Sequence, residues 1–326
     1  MKAIFLEDRT FSTVNRPKPR AGRGEALLRV VRAGICNTDL ELYRGYYGFR
    51  GVPGHEFVAR VEAAPGRPDM VGRRVVVDIN IGCGRCEWCE RDDPRHCRER
   101  RVIGIKDWDG CFAEYVKAPV AGLHPVPESV PDEVAVFAEP LAAALEIGQQ
   151  VHLTANLKMA ILGDGKLGLL TALALRFFNP GLTLIGRHGR KLALAEAQGV
   201  RVHRVDPKAG LRALEAWTGC FDLVVEATGR PEGLAQAMHL VRPEGVIVAK
   251  TTSHESSAID LAALVVNEYT LVGSRCGDMA LALFFLQQQR IDVAPLIEAA
   301  YPFQDFETAF EHAGRPGAMK VQIFFD

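Results

Sequence analysis

Several things are missing from this 326-residue chain. No apolar run approaches the roughly 18 residues that span a bilayer; the longest candidates, Leu167 to Leu175 and Leu281 to Leu286, are short, so a membrane is not implied as a partner. The opening segment, MKAIFLEDRT, lacks the apolar core of a secretory signal and reads as a strand. Net charge is missing too. Thirty-nine basic side chains against forty acidic ones leave a formal charge of −1, with no long-range field to steer nucleic acid or anionic lipid. There is no internal repeat, low-complexity tract or disordered linker. What is present, 48% apolar residues over a length that suggests roughly two domains, describes an enzyme-sized chain with full cores.

The eight cysteines are unevenly spread. Cys83, Cys86, Cys89 and Cys97 form a C-x2-C-x2-C-x7-C run, whose two-residue gaps let successive sulfurs converge on one tetrahedral zinc ion. A closed four-sulfur shell leaves no position for substrate, so such a site is structural. A disulfide framework belongs to small secreted chains and does not suit this length; free-thiol usage makes the cytoplasm the expected compartment. A zinc ribbon for nucleic acid is the rival, since Arg91, Arg95, Arg98, Arg100 and Arg101 crowd the lobe. Glu87, Glu90, Asp92, Asp93 and Glu99 are interleaved with them, so no one-signed field arises.

The chain changes grammar near Leu157. Before it, β-rich runs (Glu25 to Val31, Phe57 to Ala63, Arg74 to Ile79) alternate with Gly-Pro punctuation. After it, strand and helix alternate. Strands are expected at Lys158 to Leu162, Leu182 to Ile185, Val200 to Val205, Leu223 to Ala227, Gly245 to Ala249 and Thr270 to Gly273, and helices at Leu167 to Phe178, Lys191 to Gln198 and Glu232 to Val241. Repeated β-α-β units imply a parallel sheet covered on both faces. A closing strand, Lys320 to Phe325, would most simply rejoin the first domain.

At the first turn of that α/β unit stands Gly163-Asp164-Gly165-Lys166-Leu167-Gly168. A G-x-G-x-x-G between strand and helix allows a tight turn at Gly163, close approach of a pyrophosphate at Gly165 and close helix packing at Gly168. The second strand ends in Gly186-Arg187-His188-Gly189-Arg190-Lys191, where an NAD site wants a carboxylate for the ribose hydroxyls. With no acid available there, Arg187 could clamp a 2′-phosphate, with Arg190 or Lys191 assisting, and NADP(H) is favoured over NAD(H).

Three more segments carry zinc-type ligands: Gly34-Ile35-Cys36-Asn37-Thr38-Asp39, Gly54-His55-Glu56 and Ala138-Glu139-Pro140-Leu141. A catalytic zinc needs about three protein ligands and an open position. With the four-cysteine lobe and the glycine loop, in this order, the chain resembles the zinc-dependent medium-chain dehydrogenase/reductases, the alcohol dehydrogenase superfamily, from Met1 to Asp326.

The resemblance implies an α/β architecture: a GroES-like β-rich catalytic domain (1–146 and 274–326, with a zinc lobe at about 82–98) and a doubly wound Rossmann coenzyme domain (147–273). It implies two zinc ions per chain. Cys36 and His55 match the first catalytic ligands, Glu56 or Glu139 the remaining one, and Cys83, Cys86, Cys89 and Cys97 the structural set. Thr38 matches the hydroxyl that takes the substrate proton, and Arg275 matches an arginine near the substrate in polyol-type relatives. Gly163, Gly165, Lys166, Leu167, Gly168, Arg187, Lys191 and Thr228 are expected at the coenzyme.

A Glu-Pro third-ligand motif is similar to that of sorbitol, threonine and glucose dehydrogenases, which implies a polyol, sugar or amino alcohol interconverted with its carbonyl form, in a homodimer or homotetramer. Because a thiolate and two carboxylates would make the zinc site anionic, Glu56 and Glu139 are expected to alternate, or one to bind through water. The alternative is a non-catalytic dinucleotide- and zinc-binding regulatory protein. Intact Cys36, Thr38, His55 and Glu139 argue against it, and equally against zinc-free enoyl or quinone reduction. Two departures stand out. The Cys36 to His55 interval is short for the family and holds Tyr43, Tyr46, Tyr47 and Phe49, which could line a pocket or simply form core; and Lys250 stands where a glycine commonly follows the strand.

Overall fold

Strands dominate the N-terminal part. In a computed structural model that describes residues 1–206, 208–252 and 255–325, β1 (Lys2–Glu7) and β2 (Thr10–Asn15) pair as a hairpin. Its two-residue turn puts Asp8 and Arg9 at φ 48° and 59°, the left-handed geometry that matches strand twist. There follow β3 (Glu25–Gly34), β4 (Glu56–Ala63), β5 (Arg74–Val77), β6 (Asn80–Ile81), β7 (Arg101–Val102), β8 (Tyr115–Pro119) and β9 (Leu123–Pro125).

Ten-residue β3 organises one unit, which comprises Met1–Glu139 and the segment from Met279 onward. It pairs antiparallel with β4 and with β8, and its inward side chains Leu28, Val30 and Ala33 are essentially inaccessible. The C-terminal β16 (Ile297–Pro302) and β17 (Lys320–Phe324) join the same sheet, in the order β16-β17-β3-β4-β5-β9. The closing strand thus rejoins the first sheet, as its position in the sequence suggested: Gln322 pairs with Gly34, beside Cys36 in the chain. β6 and β7 form a separate ribbon that brackets the cysteine lobe.

The other unit, Pro140–Asp278, carries β10 (Met159–Leu162), β11 (Thr183–Gly186), β12 (Arg201–Arg204), β13 (Phe221–Glu226), β14 (Val241–Ala249) and β15 (Thr270–Gly273). All pairings are parallel, in the order β12-β11-β10-β13-β14-β15. Counted from β10 this is 3-2-1-4-5-6, the doubly wound Rossmann arrangement, with its switch point between β10 and β13. The near-continuous apolar runs read from the sequence are buried on both faces: Ala160, Leu162, Ile185, Val224 and Ile247 share one core with Leu214, Met238 and Leu240.

Differences from the sequence reading are local. β14 starts at Val241, four residues early, and the sequence reading assigned no element to the 3-10 segment Gly210–Trp217 or the helix Leu261–Val266. Pro207, Ser253, His254 and Asp326 lie outside the described residues.

Candidate active site and coenzyme site

The cysteine lobe is built from short pieces. Cys86 precedes the single-turn helix Glu87–Glu90, Cys89 lies within it, and Pro94–His96 turns the chain so that Cys97 points back. The four sulfurs lie within 4.8 Å of one another, and none of the eight cysteines is in a disulfide. The N–H of Cys83 donates to Cys97 Sγ at 3.4 Å, and its thiol is drawn down to about 7, chiefly by the N–H of Arg85. Four converging sulfurs, with negative charge favoured on that of Cys83, fit a closed tetrathiolate for zinc. Around them Arg95 pairs with Asp93 and Arg85 with Glu99, as the interleaved charges suggested.

The second cluster sits where β3 ends and β4 begins. Cys36 is the N-cap of the helix Asn37–Tyr43, His55 immediately precedes β4 and Glu56 opens it. The sulfur, the imidazole and the Glu56 carboxylate lie within 4.8 Å of one another; Cys36 is half-buried, and His55 and Glu56 are buried. Asp39, fully buried, fixes two of these groups: its Oδ2 accepts from the N–H of Cys36 at 2.8 Å, and its Oδ1 faces His55 Nδ1 at 3.4 Å. Neither Oδ1 nor Nδ1 has a hydrogen-bond partner, so Asp39 is the group placed to orient the ring and leave the other nitrogen for a metal. Burial opposes a charged imidazole, but Asp39 and the Cys36 sulfur outweigh it and hold the His55 pKa well above its ordinary value. The donor set of soft sulfur, imidazole and carboxylate fits zinc.

The charge of Glu56 is answered by Lys320 on β17. The two form a buried ion pair, and Glu56, with help from Cys36, keeps Lys320 protonated against the effect of burial. Burial and the neighbouring Asp39 and Glu56 push the Cys111 thiol well up, so it stays a neutral wall. Thr38, in the first turn of the helix, sets its Oγ1 3.7 Å from Cys36 Sγ. Glu139 heads the helix Ala138–Leu145, half-buried and outside the three-group cluster.

The aromatic segment divides. Tyr43 stacks on Phe11 and meets Phe310 edge-on but stays 42% exposed, so it covers an aromatic cluster from outside; Tyr46 and Tyr47 lie 4.2 Å apart, and Tyr47, at φ 61°, is largely exposed.

At the switch point Gly163 adopts φ 113°, and a Cβ there would lie 2.5 Å from the Ala227 carbonyl oxygen. At Gly165 the nearest atom to a Cβ would be that same oxygen at 4.0 Å, which leaves the space a pyrophosphate requires. Lys166, Leu167 and Gly168 form the first turn of the helix Lys166–Leu175, where backbone N–H groups favour phosphate. Across the crevice, Thr228 is fixed by a residue the sequence reading missed. Glu226, buried at the end of β13, accepts from the Thr228 N–H and hydroxyl and from Thr251 Oγ1.

Arg187 and His188 follow β11 with half-buried side chains, and Lys191 is buried on the helix Gly189–Glu196 while Arg190 is exposed. The premise that no acid is available at this strand end needs correction: Asp164, from inside the glycine loop, reaches it and accepts from the N–H groups of Arg187 and His188. The signal was its place in the loop, next to the strand end in space but remote in sequence.

Lys250 also gains a role. Its ammonium donates to the carbonyls of Ala143 and Arg275 and to Ser274 Oγ, so it ties Arg275 to the neighbouring chain.

Comparison with known proteins agrees with this geometry. Residues 22–128 match the alcohol dehydrogenase GroES-like domain and residues 132–323 the glucose dehydrogenase C-terminus. L-threonine 3-dehydrogenase of Bacillus licheniformis is 28% identical over 318 residues, 90% of each chain, and L-idonate 5-dehydrogenase (NAD(P)(+)) of Escherichia coli is 27% identical, over 92% of this chain and 91% of its own. Among solved structures, a short chain alcohol dehydrogenase (rspB) from E. coli CFT073 complexed with NADH superposes with a TM-score of 0.91 at 28% identity, covering 100% of this chain and 99% of that one. A putative zinc-binding dehydrogenase from Sinorhizobium meliloti 1021 bound to NADP gives 0.88 at 30% identity, covering 99% and 98%. The chain belongs to the zinc-dependent, NAD(P)-linked alcohol dehydrogenases of the medium-chain dehydrogenase/reductase superfamily.

Proposed function

We propose that this protein reversibly oxidises a small alcohol carrying further hydroxyl or amino groups (a polyol, sugar or amino alcohol) to its aldehyde or ketone, with NADP(H) as preferred coenzyme. One observation carries this reading: the half-buried Cys36 sulfur beside buried His55 and Glu56, a ligand set with one accessible side. Zinc bound there would polarise the alcohol oxygen, and the nicotinamide would exchange the hydride.

The chain's own groups take the remaining work. Cys36 and His55 hold the metal, with Asp39 orienting the imidazole. Thr38, close to that sulfur, takes the substrate proton and passes it toward solvent. Glu139 and Glu56 alternate as the further ligand. Glu56 is already neutralised by Lys320, so its presence beside a thiolate and Glu139 does not make the site anionic. Arg275, its backbone held by Lys250, is assigned to the polar groups of the substrate. The second zinc of the two per chain belongs to Cys83, Cys86, Cys89 and Cys97.

The substrate class is supported by the Glu139-Pro140 pair and by relatives that are named for threonine and idonate. The coenzyme preference is supported by Arg187 at the end of β11. A homodimer or homotetramer is supported by the sheet edge. β15 is an edge strand with Leu271 exposed, and the preceding helix exposes Leu261, Val265 and Val266, an apolar surface that favours association. Cysteines that serve as metal ligands and not as disulfides support a reducing compartment, the cytoplasm. No helix among the described residues is long and apolar enough to cross a membrane. The test is turnover of diols, sugars and amino alcohols with each coenzyme. Activity confined to simple monohydric alcohols would refute the substrate class, and equal or better efficiency with NAD(H) the coenzyme preference.

A further inference from the structure

Gly186 and Asp164 share the space of one side chain. Gly186 ends β11, where a Rossmann strand that selects NAD(H) carries its carboxylate. A Cβ built on Gly186 would lie 2.5 Å from Asp164 Cβ, 2.6 Å from its Cγ and 2.7 Å from its Oδ2. Gly186 is not among the residues of positive φ, so its backbone conformation accepts a side chain; Asp164 is what excludes one.

The carboxylate of Asp164 is committed to the backbone. Oδ2 accepts from the N–H of Arg187 at 2.8 Å and of His188 at 2.6 Å, and Oδ1 lies 2.9 Å from His188 Nδ1. Only 4% of Asp164 is exposed. The acid that would bond ribose hydroxyls from the strand end is here turned inward, bracing a turn rich in cations. Arg187 follows Gly186 directly, and Arg204, paired in register with Gly186 on β12, brings its Nη1 to 3.5 Å from where a Cβ on Gly189 would stand.

We infer that Asp164 is a positioning residue for coenzyme choice: it takes the place of the strand-end carboxylate and fixes the Arg187-His188 turn in the form that receives the 2′-phosphate of NADP(H). This inference rests on the NADP(H) reading above. It adds that the preference depends on an acid in the glycine loop as well as on Arg187, and that the loop acid and a strand-end acid are mutually exclusive.

The experiment compares four zinc-loaded full-length proteins: unmutated, Asp164→Ala, Gly186→Asp and the double variant. Affinities for NADPH, NADH, 2′,5′-ADP and 5′-AMP are measured by titration calorimetry, and thermal unfolding is followed in parallel. Asp164→Ala is expected to weaken 2′,5′-ADP and NADPH by about 10-fold while 5′-AMP and NADH change by less than about 3-fold. Gly186→Asp alone should unfold several degrees early, because two side chains compete for one space. Adding Asp164→Ala to it should restore stability and reverse the preference toward NADH and 5′-AMP. The inference is overturned if the unmutated protein prefers 2′,5′-ADP and Asp164→Ala keeps that preference, if both nucleotides weaken equally, or if Gly186→Asp is as stable as the unmutated protein. Preference of the unmutated protein for NADH overturns the Arg187 reading itself, and the exclusion of one acid by the other is then still decided by the unfolding data.

Discussion

Lys320 and Glu56 form a buried ion pair across 264 residues of sequence. β17 brings the ammonium to the first residue of β4, immediately behind Cys36 and His55. The pair does two jobs at once: it staples the C-terminal strand into the first sheet and neutralises a carboxylate beside the metal ligands.

Removing one partner should therefore be worse than removing both. Lys320→Met takes away the buried cation that faces Glu56, and breaking a buried ion pair from one side typically costs about 3–5 kcal/mol. Lys320→Met with Glu56→Gln should recover most of the loss in denaturant unfolding of the zinc-loaded protein. Equal loss in both would show that Glu56 is satisfied without Lys320. The pH dependence has a definite sign. The Lys320 pKa is raised by Glu56, so its contribution is complete below the ordinary lysine value of about 10.4 and is lost only as pH climbs through the higher folded value.

The two metal sites should differ in what their loss does. Cys89→Ser opens the sulfur cage and should lower yield and melting temperature before it changes the turnover of surviving molecules. Cys36→Ser should abolish turnover and leave the fold nearly intact. Metal analysis of freshly purified, unchelated protein should give two zinc ions per chain, and a value of one or none rejects the assignment. Reloading of the stripped protein should weaken as pH falls, because the imidazole of His55 must shed a tightly held proton to bind metal.

Thr38→Val keeps the volume and removes the hydroxyl. If Thr38 relays the substrate proton, turnover should fall by about 100- to 10,000-fold, the usual worth of a general acid–base group, with coenzyme affinity unchanged. Near-normal turnover with hydride transfer rate-limiting assigns the relay to another group.

Arg187→Ala tests the coenzyme preference from its cationic side. A charge-assisted hydrogen bond contributes about 1.5–3 kcal/mol, so about 10- to 100-fold of NADP(H) preference should disappear. Dissociation constants for both coenzymes measure it directly, and an unchanged ratio would place the guanidinium in solvent.

Legibility in the sequence followed locality. The cysteine lobe, the glycine loop and the Cys36 and His55 segments are short patterns whose spacing reflects their chemistry, and five of the six parallel strands were expected within two residues of both observed ends. The sixth, β14, starts four residues early because its first segment, Val241 to Glu244, is interrupted by Pro243 and a left-handed Glu244 at φ 61°. Asp39 was visible as a letter of its motif, but its hold on His55 depends on how β4 returns beside the helix that Cys36 caps. Lys320, Glu226 and Asp164 were not legible as site residues, because each acts on a neighbour that only the sheet order supplies. Asp164 misled most. Looking for an acid only along the second strand missed one delivered by the first loop.

The last expectation concerns acid stability of the coenzyme unit and comes from that same residue. Burial alone would raise the Asp164 pKa, but the N–H and ring of His188 and the N–H of Arg187 outweigh it and hold the carboxyl below the usual aspartate range. A depressed folded value means stability that is complete above the unfolded pKa, about 3.9, and is lost as pH falls through the lower folded one. Asp164→Asn removes the charge and should be less stable than the unmutated protein at neutral pH. The gap between the two should stay constant down to about pH 5 and then close below about pH 4, where the unmutated carboxyl also becomes neutral. Denaturant unfolding across that range measures the gap. A gap that widens toward low pH would mean that the charge opposes the fold, and that the backbone contacts of Asp164 do not compensate for its burial.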